Sequence, residues 1–408
     1  MLKKRLITCK LFIILTSLFE QISASAGSLV FYLLLARLLG PSDFGLFALY
    51  LMPAQILHSI AVQWVLLPIT TTPGQRLPIR LLTSVAKRML IMIVATPPFV
   101  ALYAEISPIK ELGAIFLLLV TGIFSAMILF DFTRYLAIRF GKASLQATCN
   151  TIRWLVSVII LISVSHLTMP NHLLALTALF LGILVSLLIS VGPVFKEFWS
   201  DVQSQTHIME NYKKPDSNVL LSFGLANAVF AIISSSALAR SSLTAFGAIQ
   251  TFRSLVNWAP LVLQYIETHF ASKLARESKT TFMDIKWSFF FLATFLLGEA
   301  VILIFGDWLL TVIVGADFVP YLWLFSTMYG LVLLQSYTRA VSIEVRLSGA
   351  MQVIWLQVIL LIFGAFVIGI GMIFNESVMS TLVIVLVLVM TAILQAISIT
   401  LGLKLYKK

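Results

Sequence analysis

Long apolar runs alternate with short polar breaks from one end of the chain to the other. The runs fall near 11–36, 44–67, 86–104, 112–133, 145–166, 172–194, 218–239, 247–270, 287–305, 318–338, 350–373 and 378–403. About 20 apolar residues in a helix cross the hydrocarbon core of a bilayer. Inside that core the backbone finds no water and must satisfy its own hydrogen bonds, which a helix does. The pattern therefore predicts an all-α integral membrane protein of about twelve transmembrane helices.

The polar breaks carry a second signal. One alternate set holds Lys3, Lys4, Arg5, Lys10, then Arg76, Arg80, Lys87, Arg88, then Arg139 and Lys142, then Lys196, Lys213 and Lys214. It continues with Lys273, Arg276, Lys279, Lys286, then Arg339 and Arg346, and ends with Lys404, Lys407 and Lys408, so that it contains 22 of the 28 basic residues. The other set contains only Arg37, Lys110 and Arg240, while Arg134, Arg153 and Arg253 fall within or at the edge of helices. Cytoplasmic loops concentrate Lys and Arg, so both termini are predicted to be cytoplasmic. A missed or invented span would scramble the alternation.

The longest break, 195–217, divides the runs into six and six. "LARLLGPSDFG" (35–45) follows the first run and "LARSSLTAFG" (238–247) the seventh; "TRYLAIRFGKA" (133–143) follows the fourth and "TRAVSIEVRLSGA" (338–350) the tenth. Two matches at nearly one offset, each at an equivalent loop, point to duplication. Expected are a six-helix lobe over 1–195, a cytoplasmic linker over 196–217 and a second six-helix lobe over 218–408. Lobes entering the membrane in the same sense are related by a pseudo-two-fold axis along its normal, an arrangement found in transporters.

Composition narrows the classes. Sixty per cent of the residues are hydrophobic, only 11% are charged, and the mean hydropathy is +1.02. A soluble domain carries roughly 25% charged residues, so this chain needs lipid to cover it. The net charge of +11 lies in clusters between apolar runs and forms no basic face for nucleic acid. Cys9 and Cys149 lack metal-ligand spacing and read as small apolar residues. "SASA" at 23–26 imitates a signal-peptidase site, but the apolar run resumes at once, so a retained first helix is expected. No phosphate-binding loop, metal-ligand cluster, nucleophile elbow or dinucleotide fingerprint is present. Neither an enzyme nor a bound cofactor or metal is expected, and any transport draws on an ion gradient, the membrane potential or substrate asymmetry.

Charges within apolar helices mark candidate functional positions, because they must face protein or a wet passage. Arg253 is followed by Asn257, Gln264 and Glu267 within about 40° of its own direction on a helix, with Pro260 on the same side. This stripe is expected to line an interior path; an interhelical ion pair is the plainer alternative. Glu20 lies on a face with Ser17, Ala24, Gly27 and Ser28. It reads either as a proton or cation site or as the counter-charge of an arginine, and the small residues around it permit close packing. Gln55, His58 and Ser59 form a smaller patch. Arg153 reads as a ligand for substrate or as a snorkelling side chain. Glu299 reads as an ion site or a buried protonated acid. Asp131 and Arg134, three apart, are expected to pair with each other in a structural role.

"LLARLLGPSDFGLFAL" (34–49) resembles the opening of polysaccharide-biosynthesis flippases, in which Ala-Arg-x-Leu-Gly-Pro, two residues, then Phe-Gly joins the first two helices. "TRYLAIRFGKA" is also similar to that family's pattern. These proteins belong to the multidrug, oligosaccharidyl-lipid and polysaccharide exporter superfamily. The resemblance implies translocation of an undecaprenyl-diphosphate-linked oligosaccharide, an O-antigen or capsule repeat unit, across a bacterial plasma (inner) membrane. It implies a cavity between two lobes that Arg253, Glu20 and His58 would face. The candidate substrate-binding residues are Arg253, Asn257, Gln264, His58 and Arg153, and the candidate ion-coupling acids are Glu20 and Glu299. The implied partners are the lipid-linked glycan, membrane lipids and polysaccharide assembly proteins. Two rivals stand beside it: a multidrug/cation antiporter of the same superfamily, and a membrane-embedded polysaccharide polymerase or ligase, against which the short outer loops argue.

Overall fold

A computed structural model describes residues 2–66, 68–69, 79–108, 113–165, 171–203, 217–256, 285–348, 350–374 and 380–406. They are almost entirely helical. We number the helices α1 (Leu2–Ala61), α2 (Ile79–Ile106), α3 (Ala114–Arg139), α4 (Ala143–Ser165), α5 (His172–Gln203) and α6 (Ser217–Ser241). There follow α7 (Leu243–Val256), α8 (Ile285–Ile313), α9 (Leu322–Ser348), α10 (Met351–Phe374) and α11 (Thr381–Tyr406). Ten helical stretches among the described residues are long and apolar enough to cross a membrane. Large apolar side chains stand fully outward along them, among them Leu297, Leu303 and Ile304 of α8 and Phe366 and Ile373 of α10. Water would not tolerate so continuous a greasy surface. The protein is a multi-pass membrane protein.

The 60 residues of α1 are two helical arms joined at a kink at Gly40. Gly40 takes φ +70° and ψ 172°, a left-handed position that suits a residue without Cβ. Pro41 then starts the second arm, where its missing N–H and fixed φ cost nothing. The corresponding break in the second half is made by different chemistry. Between α6 and α7, the Ser242 hydroxyl accepts a hydrogen bond from the Ala245 amide at 3.1 Å and caps the new helix.

The second repeated segment is also echoed in backbone geometry. At the end of α3 the Lys142 amide reaches back to the Ala137 carbonyl at 2.7 Å, with Gly141 at φ +73°. At the end of α9 the Ala350 amide reaches the Val345 carbonyl at 3.0 Å. Both bonds span five residues, the closure that satisfies orphan carbonyls at a helix C-terminus.

Helix lengths differ from the hydropathy pattern where polar residues continue a helix. α3 runs to Arg139 and α9 to Ser348, beyond the predicted ends at 133 and 338, so Arg134 and Arg339 are helical residues and not loop residues. α5 likewise runs on to Gln203, into the segment expected to be a linker.

In packing, α1 rests on α4 and α7; α5 rests on α3 and α4; α6 on α10; and α9 on α7, α8 and α11. The seam between α1 and α7 sits beside Gly40 and Ser242. There a Cβ on Gly45 would lie 2.5 Å from the Leu243 carbonyl oxygen and 3.2 Å from the Gly247 nitrogen. A Cβ on Gly247 would overlap the Pro41 carbonyl oxygen. Two arginines close the same end: Arg37 donates to the Val312 carbonyl at the end of α8 (3.0 Å), and Arg240 to the Ile106 carbonyl at the end of α2 (2.8 Å). Each places a cation on the unpaired carbonyls of a helix C-terminus. Arg37 and Arg240 are the arginines of the two "LAR" segments.

Candidate functional site

Beyond this seam lies a cavity of about 680 Å³. α1 and α3 wall it on one side; α6, α7, α9, α10 and α11 wall it on the other. Arg134 of α3, Arg253 of α7 and Arg339 of α9 line it, as does His58 of α1. Among the described residues Asp131 alone brings a carboxylate to the wall.

Arg253 is exposed, and the helix around it explains where it faces. Thr251 and Phe252 are fully buried, the Phe252 ring lying 5.2 Å from Phe325 and 6.2 Å from Phe318. Gln250, Arg253 and Ser254 take the opposite face, toward the cavity. Among the described residues Arg253 has no hydrogen-bond or ion-pair partner. Arg253 thus faces the cavity and forms no ion pair within the described residues. Asn257 and Gln264, together with Pro260 and Glu267, lie outside the described residues.

Arg134 is held very differently. Its Nε donates to Glu20 Oε1 at 2.7 Å, and Asn150 Nδ2 donates to the same oxygen at 2.9 Å. Glu20 is fully buried. Of its two expected roles the geometry gives it that of counter-charge. The small face around it is a packing surface at Gly27, where a Cβ would collide with the Trp154 ring, but it opens onto the cavity at Ser28. Asp131 does not take Arg134 as its main partner: their closest approach is 4.0 Å, whereas Asp131 Oδ2 and His58 Nε2 are 2.5 Å apart. The expectation of a self-contained structural pair is thus corrected. Successive turns of α3 pair across to the two arms of α1, and both residues line the cavity. Glu20 pairs with Arg134 and Asp131 with His58, and Arg253 has no counter-charge among the described residues.

The remaining candidates lie off the cavity wall. Arg153 stacks over Trp154 at 4.5 Å and Phe130 at 5.6 Å, a cation–π arrangement that substitutes for an anionic partner. Glu299 accepts a hydrogen bond from the Ser326 hydroxyl at 2.6 Å in the α8–α9 contact. Cys149 is free and buried.

Arg339 is the cavity arginine that hydropathy reading passes over, since it follows an apolar run and counts among the loop charges. A signal for it was present: it is the arginine of the second Thr-Arg, Thr338-Arg339, matching Thr133-Arg134, and both arginines line the cavity.

No family model matches the sequence, and no curated relative does. Solved structures do match over nearly the whole chain. The eukaryotic MATE transporter AtDTX14 is 12% identical, with a TM-score of 0.54 over 97% of this chain and 94% of its own. A MATE in the bent conformation is 15% identical, with a TM-score of 0.54 over 96% and 94%. A multidrug resistance MATE family transporter of the MOP superfamily, in an outward-facing conformation, is 13% identical, with a TM-score of 0.52 over 96% and 94%. The chain has the fold of these transporters.

Proposed function

We propose that the protein is a flippase that carries an undecaprenyl-diphosphate-linked oligosaccharide from the inner to the outer leaflet of a bacterial plasma membrane by alternating access. The observation that carries this reading is the charge of the cavity: among the described residues three guanidinium groups face it against one carboxylate, and Arg253 has no counter-charge there. A diphosphate supplies that charge, and arginine grips phosphate oxygens by paired hydrogen bonds. The family-like "LLARLLGPSDFGLFAL" segment supports the same substrate. The MATE-like fold suits a cation exporter equally well; the charge of the wall argues against one, because a cationic drug would meet repulsion there.

The finer architecture follows the duplication. We take the arms of α1 as two spans and α7 as the start of another, giving twelve in two six-helix lobes with both termini cytoplasmic. On that orientation the clasp of Arg37 and Arg240 is on the outer side, and the chain rests facing inward.

In proteoliposomes, Arg253→Ala is expected to slow flipping of the lipid-linked glycan at least about tenfold, the loss of one charged hydrogen-bonding partner. Arg253→Lys is expected to recover part of the rate, since it restores charge without the planar fork. Unchanged turnover in Arg253→Ala would remove this residue from the mechanism. Export of cationic dyes by the wild type, without flipping, would favour the antiporter.

A further inference from the structure

Several carboxamides stand among the residues of α6, α9, α10 and α11 that line the cavity, and one of them is incompletely bonded. Gln357 of α10 is only 2% exposed. Its Nε2 donates to the Gln395 backbone carbonyl at 3.2 Å and to Ser398 Oγ at 2.7 Å. The Ser398 hydroxyl in turn donates to the same carbonyl at 3.0 Å, so its oxygen is the acceptor for Gln357. A backbone carbonyl can only accept, which fixes the amide orientation and uses both N–H groups. Among the described residues Oε1 is left with no partner, in a residue of the cavity wall. An unmet buried acceptor costs about 1–3 kcal/mol, so a donor should complete it.

Other amides surround this position. Asn227 of α6 spends its Nδ2 on the Phe223 carbonyl at 3.0 Å, which leaves its oxygen as an acceptor. The side chains of Gln335 of α9 and Gln395 of α11 line the cavity with no hydrogen-bond partner among the described residues. On α9, Gln335 is one turn before Arg339, on the same side of the helix. A ligand whose anionic group sits at Arg339 therefore has neutral donors and acceptors within a turn of it.

We propose that Asn227, Gln335, Gln357 and Gln395 form a glycan subsite that binds the sugar next to the diphosphate through its hydroxyl and acetamido N–H groups. The inference rests on the flippase reading and deepens it. The arginines hold charge that any lipid diphosphate carries, whereas the amides distinguish a glycosylated lipid from a bare one. Gln357 Oε1, as a pure acceptor, selects a donor, which a phosphate oxygen is not.

The test measures affinity of the full-length protein in nanodiscs for two probes, undecaprenyl diphosphate and undecaprenyl-diphosphate-linked N-acetylglucosamine. In Gln357→Leu the ratio of glycosylated to bare affinity is expected to fall about tenfold relative to the wild type, with bare-lipid affinity within about twofold. Because Gln357 also ties α10 to α11, the double variant Gln335→Ala/Gln395→Ala is run beside it. Those two side chains have no bonds among the described residues to lose, and the same ratio is expected to fall. An unchanged ratio in both variants overturns the subsite, and so does a wild type that binds bare lipid alone; a water would then be the partner of Gln357. A wild type that binds neither probe overturns the flippase reading itself.

Discussion

Glu20→Ala is expected to destabilise the protein by about 3–5 kcal/mol, the cost of leaving one member of a buried ion pair alone. Glu20 is fully buried and Arg134 shows 14% of its side chain, so solvent does little to screen the orphan guanidinium. Asp131, at 4.0 Å and already engaged with His58, is too distant and too committed to replace the carboxylate. Asn150 would lose its acceptor as well. Thermal unfolding in detergent reads the effect, and a variant as stable as the wild type would mean that the pair is hydrated and contributes nothing. The double variant Glu20→Leu/Arg134→Met is expected to regain most of the stability, because well-packed apolar side chains commonly replace a buried pair without loss. It should nonetheless transport poorly if Arg134 serves substrate as a lining residue, and that combination separates scaffolding from function.

The same pair shows where sequence reading reaches its limit. Hydropathy finds helices because lipid imposes one rule along the whole chain, and the all-helical membrane fold followed from it. That rule weakens where a helix faces water inside the membrane. α3 and α9 carry Thr-Arg in mid-helix because the cavity hydrates them, so their ends read about six to ten residues early. Arg253 was legible, since a charge within an apolar run has few explanations. The partners of a charge were not. Asp131 and Arg134 lie at helical spacing and suggest each other, but whether they do pair depends on two arms of α1 more than 70 residues away. Glu299 and Arg153 carried the same sequence signal as Arg253, yet Ser326 bonds the one and two aromatic rings flank the other off the wall. The paired segments added what hydropathy could not: the arginines of the two "LAR" segments both cap helix ends, and those of the two Thr-Arg segments both line the cavity.

Gly247→Ala is expected to have the larger effect on movement, and transport should fall by a factor of about 10–100. A Cβ at this position would overlap the Pro41 carbonyl oxygen and lie 2.8 Å from the Gly45 nitrogen. Both neighbours are backbone, so no side chain can turn aside; α1 and α7 must part. Small residues at helix contacts permit this close an approach, and overfilling one costs about 1–3 kcal/mol. If transport needs the seam to close and reopen, that cost falls on the closed form alone and shifts the population toward the form open at Gly40 and Ser242. The shift is measurable apart from transport. In a background without Cys9 and Cys149, the thiol of Ser242→Cys should react with an impermeant maleimide faster by the same factor when Gly247→Ala is added. Gly192→Ala is the control, since a Cβ there meets nothing within 4 Å, and it should leave both rates unchanged. Arg37→Ala with Arg240→Ala should move the labelling rate in the same direction but less, because each removes a partly solvated hydrogen bond while leaving the backbones in contact. Wild-type labelling and turnover in Gly247→Ala would mean that the contact tolerates a methyl group and that the gate, if the protein has one, lies elsewhere.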